Sequence, residues 1–122
     1  AGSIVVTGEG NSTTTNLQQG LCKQWIKFSS ANHSTADSFN TTSITDNGTA
    51  DTTITIANDM ASANYSIGAL ATDYHVHEKD YNGTDATATL YRLYTFLVSS
   101  TNGSTTANEE DRVYAHIFGD LA

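Results

Sequence analysis

His75 and His77 stand two residues apart in the run Asp73-Tyr74-His75-Val76-His77-Glu78. In an extended strand, residues at that spacing point to the same face. Two imidazoles on one face form a chelating pair for zinc or a related metal. The plainer reading is a polar strand face flanked by Tyr74 and Val76. Asp46, Asp51, Asp73, Glu78, Asp80 and Asp85 lie in or near turn-forming stretches, where calcium finds oxygen ligands. None has the spacing of a calcium loop, so they read as solvated acidic turns, as does the run Glu109-Glu110-Asp111. Cys22 is the only cysteine and reads as a small core residue, because a nucleophile would need a histidine constellation around it. No Gly-x-Ser-x-Gly motif occurs, and nothing selects a carboxylate pair for glycoside hydrolysis. The residue types therefore point away from an enzyme and call for no cofactor beyond the metal the histidine pair would hold.

Binding chemistry has better material. Trp25, Tyr65, Tyr74, Tyr81, Tyr91, Tyr94 and Tyr114 each join an apolar ring to a polar atom, which suits stacking on sugars. Contact residues concentrate in loops. Tyr74 and Tyr81, near an expected turn, are therefore the candidates for contact with a receptor glycan. Trp25 and Tyr94 are expected in the core.

The elements that must position these residues are short strands. Ser3–Thr7 carries Ile4, Val5 and Val6. The Gly/Ser/Thr/Asn stretch Gly8–Asn16 reads as a flexible connection. Leu17–Gly20 suits one helical turn, and Leu21–Phe28 is dense in apolar residues. Ser29–Asp37 reads as polar loop and Ser38–Thr45 as strand. Asp46-Asn47-Gly48-Thr49 is a hairpin signal, since Asn-Gly accepts positive φ at both central turn positions. Thr52–Ala57 alternates with period two, Ile54 and Ile56 on one face and Thr53 and Thr55 on the other. Asn64–Ala71 places Tyr65, Ile67 and Ala69 on one face, and pairing resumes over Asp73–His77. Thr87–Val98 is the longest candidate and carries large residues on both faces, as a central or interface strand would. Ser99–Asp111 reads as polar loop and Arg112–Phe118 as the last strand. No segment of helical length shows a 3.6-residue apolar period with caps. The expected fold is all-β, an antiparallel β-sandwich, jelly-roll-like or a small barrel. Residues 1–16 read as an N-terminal strand or arm with a flexible linker, and residues 17–122 as the sandwich domain.

Composition narrows the partners. The chain has 122 residues and a formal net charge of −8, from 13 acidic and 5 basic residues. That balance disfavours nucleic acid and anionic membrane surfaces. No stretch is long and apolar enough to insert in a bilayer as a helix. The hydrophobic share is 38%, low for a globular domain. With charge at only 15% and Thr, Ile, Val and Tyr common, the shortfall points to a core completed by copies of the chain rather than to disorder. There is no proline to block strand edges, and oligomerisation would cover them. Asn11, Asn32, Asn40, Asn47, Asn64, Asn82 and Asn102 each begin an Asn-x-Ser/Thr triplet. Ser and Thr are so frequent that such triplets arise by chance, and no signal peptide or disulfide framework supports glycosylation.

One order of motifs is more specific than a fold class. Thr14-Thr15-Asn16-Leu17-Gln18-Gln19-Gly20-Leu21 leads into Lys23 and Trp25. Asp37-Ser38-Phe39-Asn40, Ser43-Ile44-Thr45-Asp46-Asn47-Gly48-Thr49, Met60-Ala61 and Ala63-Asn64-Tyr65 follow, and Ile117-Phe118-Gly119-Asp120-Leu121-Ala122 closes the chain. This order resembles the C-terminal β domains of tail-fibre and appendage proteins of marine podovirus-type bacteriophages, over nearly the whole chain and most specifically from Ser38 to Tyr65. The resemblance implies a virion structural protein on a tail fibre or the capsid surface, commonly a homotrimer in contact with other virion proteins; the leading reading is host attachment, with the aromatic residues pointing to a surface glycan as the receptor. Some phage fibres place histidine pairs on a three-fold axis to bind metal, which gives His75 and His77 that expectation. Such fibres also carry an adaptor and a shaft, so the chain reads as a fibre fragment or as a free-standing module such as a capsid decoration or head-appendage protein. A lectin-like carbohydrate-binding module is the third reading.

Overall fold

Apolar residues recur at every second position in the longer strands, and that alternation decides which side of each sheet is dry. The computed structural model describes residues 4–7, 10, 13–78 and 86–122. The strands are β1 (Val5–Thr7), β2 (Thr14–Asn16), β3 (Cys22–Ser29), β4 (Ser34–Phe39), β5 (Thr41–Gly48), β6 (Asp51–Ile56), β7 (Ser66–Ala71), β8 (His75–Glu78), β9 (Leu90–Val98), β10 (Thr105–Ala107) and β11 (Val113–Phe118), with one helical turn, α1 (Leu17–Gly20). All pairings between these strands are antiparallel.

Two sheets face each other. The front sheet has the order β4-β3-β11-β7, and the back sheet runs β10-β9-β6-β5 with β8 on the other flank of β9. Between them lies one core, built from Ile26, Phe28, Val113, Ala115 and Ile117 of the front sheet and Ile54, Ile56, Tyr91 and Leu93 of the back sheet, with Met60. The protein is thus an all-β sandwich of antiparallel sheets. Gln24 crosses the core as a polar tie. Its amide donates to Thr41 Oγ1 at 2.7 Å, and its carbonyl accepts the Tyr91 hydroxyl at 2.8 Å. Both sides of this fully buried amide are satisfied, as a dry interior demands.

The chain changes sheets at Asn40. The stretch expected as one strand, Ser38–Thr45, breaks there into β4 and β5, with Asn40 at φ 56°. Its side-chain amide donates to the Lys23 carbonyl at 2.9 Å, and its Oδ1 accepts the Asn58 backbone N–H at 2.7 Å. An Asn tolerates this left-handed backbone better than most residues and here fastens the corner on both sides. The following hairpin pairs Ile44 with Ile54 and Thr45 with Thr53, but its turn falls two residues later than the Asn-Gly signal. Asn47 sits in a bulge, and Thr49 and Ala50 make the turn, Ala50 at φ 61°.

Other polar stretches also carry strands. β2 lies inside Gly8–Asn16, β4 begins inside Ser29–Asp37, and β10 lies inside Ser99–Asp111. The connections fall at two ends. Residues 30–33, 49–50, 72–74 and 99–104 form the tip, while α1, Asn40, residues 57–65 and the C-terminal residues form the base. No helix among the described residues is long and apolar enough to cross a membrane.

Candidate interaction surfaces

Because Ile26 and Phe28 point inward, Trp25 and Lys27 must point out. Trp25, expected in the core, is 39% exposed on the outer face of the front sheet. Register places two rows of side chains there. Phe39, Trp25, His116 and Gly68 form one, and Asp37, Lys27, Tyr114 and Leu70 the other. Trp25, Lys27, Asp37, Tyr114 and His116 line a hollow of about 470 Å³. The Lys27 ammonium stands 5.7 Å from the centre of the Tyr114 ring, a cation–π distance. The His116 imidazole meets Phe118 edge-on at 5.4 Å and lies over Gly68, where any added Cβ would collide with the imidazole. Gly68 is thus what lets His116 occupy its place on the hollow's floor. Two aromatic rings, a carboxylate, an ammonium and an imidazole share one open face.

The outer face of the back sheet is arranged differently. Arg92 clamps Asp51 with two parallel bonds, Nε to Oδ1 at 2.5 Å and the terminal nitrogen to Oδ2 at 2.8 Å, and the Asp51 side chain is only 5% exposed. Fork-to-fork pairing of this kind is the strong form of the carboxylate–guanidinium bond. Asn47 adds a 2.8 Å bond to Thr53.

His75 and His77 do share one face of β8, as their spacing requires, and both are exposed. They pair across to Phe96 and Tyr94 of β9. Both rings pack on Phe96, His75 stacked at 5.4 Å and His77 edge-on at 5.0 Å, and His77 Nδ1 lies 2.6 Å from the Glu78 carbonyl. Among the described residues no cluster of three or more His, Cys, Asp or Glu side chains forms a metal-ligand set. A metal bound here would take both imidazoles from this pair and its remaining ligands from beyond the described residues. Tyr94, expected in the core, lies half-buried on this outer face, 6.2 Å from Phe96.

Tyr74 lies at the tip, half-buried before β8, and Tyr81 falls outside the described residues. Trp25 and Tyr114 were legible as aromatics, but only the strand register reveals that they face outward together.

Two tyrosines titrate abnormally. The Tyr65 hydroxyl donates to the carbonyls of Thr87 at 2.8 Å and Leu90 at 3.1 Å, and burial, with the charge of Glu78 behind it, pushes its pKa up to about 12. Burial also drives Tyr91 upward, against the opposing pull of its bond to Gln24. Both hold their protons for structural bonds.

Comparison with protein-family models, curated proteins and solved structures finds no match.

Proposed function

We propose that the chain is a non-enzymatic bacteriophage virion module, on a tail fibre or appendage tip, that attaches the particle to a glycan of the bacterial surface. The supporting observation is the hollow on the front sheet, where Trp25 and Tyr114 stand beside Lys27, Asp37 and His116. A sugar offers apolar ring faces and a rim of hydroxyls, and aromatic rings among short polar side chains answer both. The order of sequence motifs from Thr14 to Ala122 supports the viral setting. The module works as a homotrimer among other virion proteins, so several weak sites act together and avidity replaces tight binding at any one of them.

A glycan array of bacterial surface saccharides, probed with the purified protein, tests this. Saturable binding to a defined saccharide is expected. Trp25→Ala should weaken it at least about tenfold, the size of one lost stacking contact. Wild-type protein that retains no saccharide, or Trp25→Ala protein that binds as well as wild type, overturns the assignment of the hollow.

The exposed apolar residues at the base, Leu21, Phe39 and Leu121, also suit docking on a capsid lattice. That favours decoration as the second reading. Labelling the protein on intact particles separates the two, since an attachment module sits on the tail and a decoration protein covers the shell.

A further inference from the structure

Positive charge is scarce on this chain, and most of it is already engaged. Of the 5 basic residues, Lys79 lies outside the described residues. Lys23 is buried, and its ammonium donates to the Leu21 carbonyl at 3.1 Å. Arg92 is clamped on Asp51. Lys27 and Arg112 remain, and among the described residues neither makes an ion pair.

Both belong to the outer face of the front sheet, beside one tyrosine. The Lys27 ammonium stands over the Tyr114 ring. Arg112 is exposed and comes two residues before Tyr114, the spacing that returns a side chain to the same face of an extended chain. Sheet-like bonding reaches that far, because the Arg112 carbonyl accepts the Thr72 N–H at 3.2 Å. A chain of net charge −8 thus brings its two uncommitted described cations to the edge of the aromatic hollow.

The nearby carboxylates are placed differently. Asp37 is the partner of Lys27 across the β3–β4 pair, yet the ammonium stands over Tyr114 instead and no ion pair forms. Asp37 Oδ1 accepts the Ser38 N–H at 2.8 Å. Asp37 and Tyr114 lie on strands two apart, a separation of about 10 Å. Glu110 is buried and accepts the Asp73 N–H at 2.9 Å, while Asp111 is exposed beside Arg112. The hollow therefore has an end that attracts an anion, at Tyr114, and an end that accepts hydroxyl protons, at Asp37, with Trp25 on the strand between them. Asp37 and Asp111 hold the local balance near neutral, which suits a singly charged carboxylate better than a doubly charged phosphate.

We propose that the saccharide taken by this hollow is acidic, a unit that carries one carboxylate as a hexuronic acid does. Its ring face stacks on Trp25, its carboxylate reaches Lys27 and Arg112, and its hydroxyls donate to Asp37. The guanidinium fork matches a carboxylate and the ammonium adds a point charge. The Tyr114 ring holds that ammonium in place before the ligand arrives, which lowers the ordering cost of the contact. This rests on the glycan reading above and narrows it to a ligand class.

Calorimetric titration of the full chain with oligogalacturonate, oligoglucuronate and oligoguluronate, each beside its methyl ester, tests the charge. A sulfated and a phosphorylated oligosaccharide complete the set. At least one uronate should bind, and its ester should bind at least about tenfold more weakly, the size of one lost charge-assisted contact. Lys27→Gln and Arg112→Gln should each weaken the uronate by a similar factor, with circular dichroism unchanged. Equal binding of uronate and ester, tighter binding of the sulfated or phosphorylated sugar, or a variant that binds the uronate as well as wild type overturns the acidic ligand and leaves the glycan reading standing. So does failure of every uronate while a neutral saccharide is still captured. Failure of every saccharide overturns both.

Discussion

The two outer faces of the sandwich carry similar residues and use them in opposite ways. Behind β8 and β9, Tyr94, Phe96, His75 and His77 pack on one another, and Arg92 is locked to Asp51. The groups on that face spend their capacity on neighbours within the chain. In front of β3 and β11, Trp25, Phe39, Leu70 and Tyr114 remain 39%, 54%, 57% and 36% exposed. An exposed apolar patch of this kind marks a contact surface, whereas scattered apolar residues need no explanation. Exposure of aromatic residues alone would not separate the faces; what separates them is whether the surrounding groups are already engaged.

The contrast can be broken most forcefully at Asp51. Asp51→Ala strips the bidentate carboxylate from a guanidinium whose side chain is only 19% exposed. Breaking a buried pair from one side costs about 3–5 kcal/mol, and chemical denaturation should show a loss of that order. A loss below about 1 kcal/mol would mean that the back face is not sealed by this pair. Tyr91→Phe probes the core that both faces share. It leaves the buried Gln24 carbonyl without its hydroxyl donor and should cost about 1–3 kcal/mol, read from the same denaturation curves. Phe39→Ser, on the open face, should change stability by no more than about 0.5 kcal/mol. A larger loss would show that the front face contributes to the fold as the back face does.

Alkali sharpens the comparison from inside. Tyr65 has a pKa of about 12 in the folded chain against 10.0 for an unperturbed tyrosine. The unfolded chain therefore releases this proton first. The stability that Tyr65 contributes is intact below pH 10 and is lost as pH rises toward 12. Tyrosinate absorbance and circular dichroism should change together in that window. In Tyr65→Phe the unfolding transition should shift upward in pH. Gly68→Ala is the mildest test, because it displaces the His116 imidazole from the front hollow. Saccharide binding should fall severalfold with the melting temperature nearly unchanged.

Much of the scaffold was legible in the sequence because one-sided burial writes itself as alternation. Ile54 and Ile56, Tyr65, Ile67 and Ala69, and the long β9 strand follow the expected pattern, and β9 does sit between neighbours on both flanks. What escaped has physical reasons. β4 is an edge strand with no fully buried residue, so it carries no period to read. β2 and β10 are three residues each and polar. The size of Trp25 suits an inward place, but its two neighbours in sequence, the fully buried Gln24 and Ile26, decide the register. A side chain as polar as Gln24 earns its interior place only through Thr41 and Tyr91, which lie far from it in sequence. The same holds for the front hollow, whose residues come from three strands spread between Trp25 and His116.

The pairing of β3 with β11 sets when this protein is able to fold. Residues 22–28 of the first long strand find their partner at residues 113–118, almost at the other end of the chain. The centre of the front sheet is therefore closed by the last of the described strands to leave the ribosome. Until then β3 lacks the neighbour that holds its middle, and Ile26 and Phe28 have no Val113, Ala115 or Ile117 to pack against. Such distant contacts slow folding and expose sticky strands while it waits. A nascent chain stalled before Val113 should remain sensitive to protease and to chaperone capture, and resistance should appear in one step when Val113–Phe118 is released.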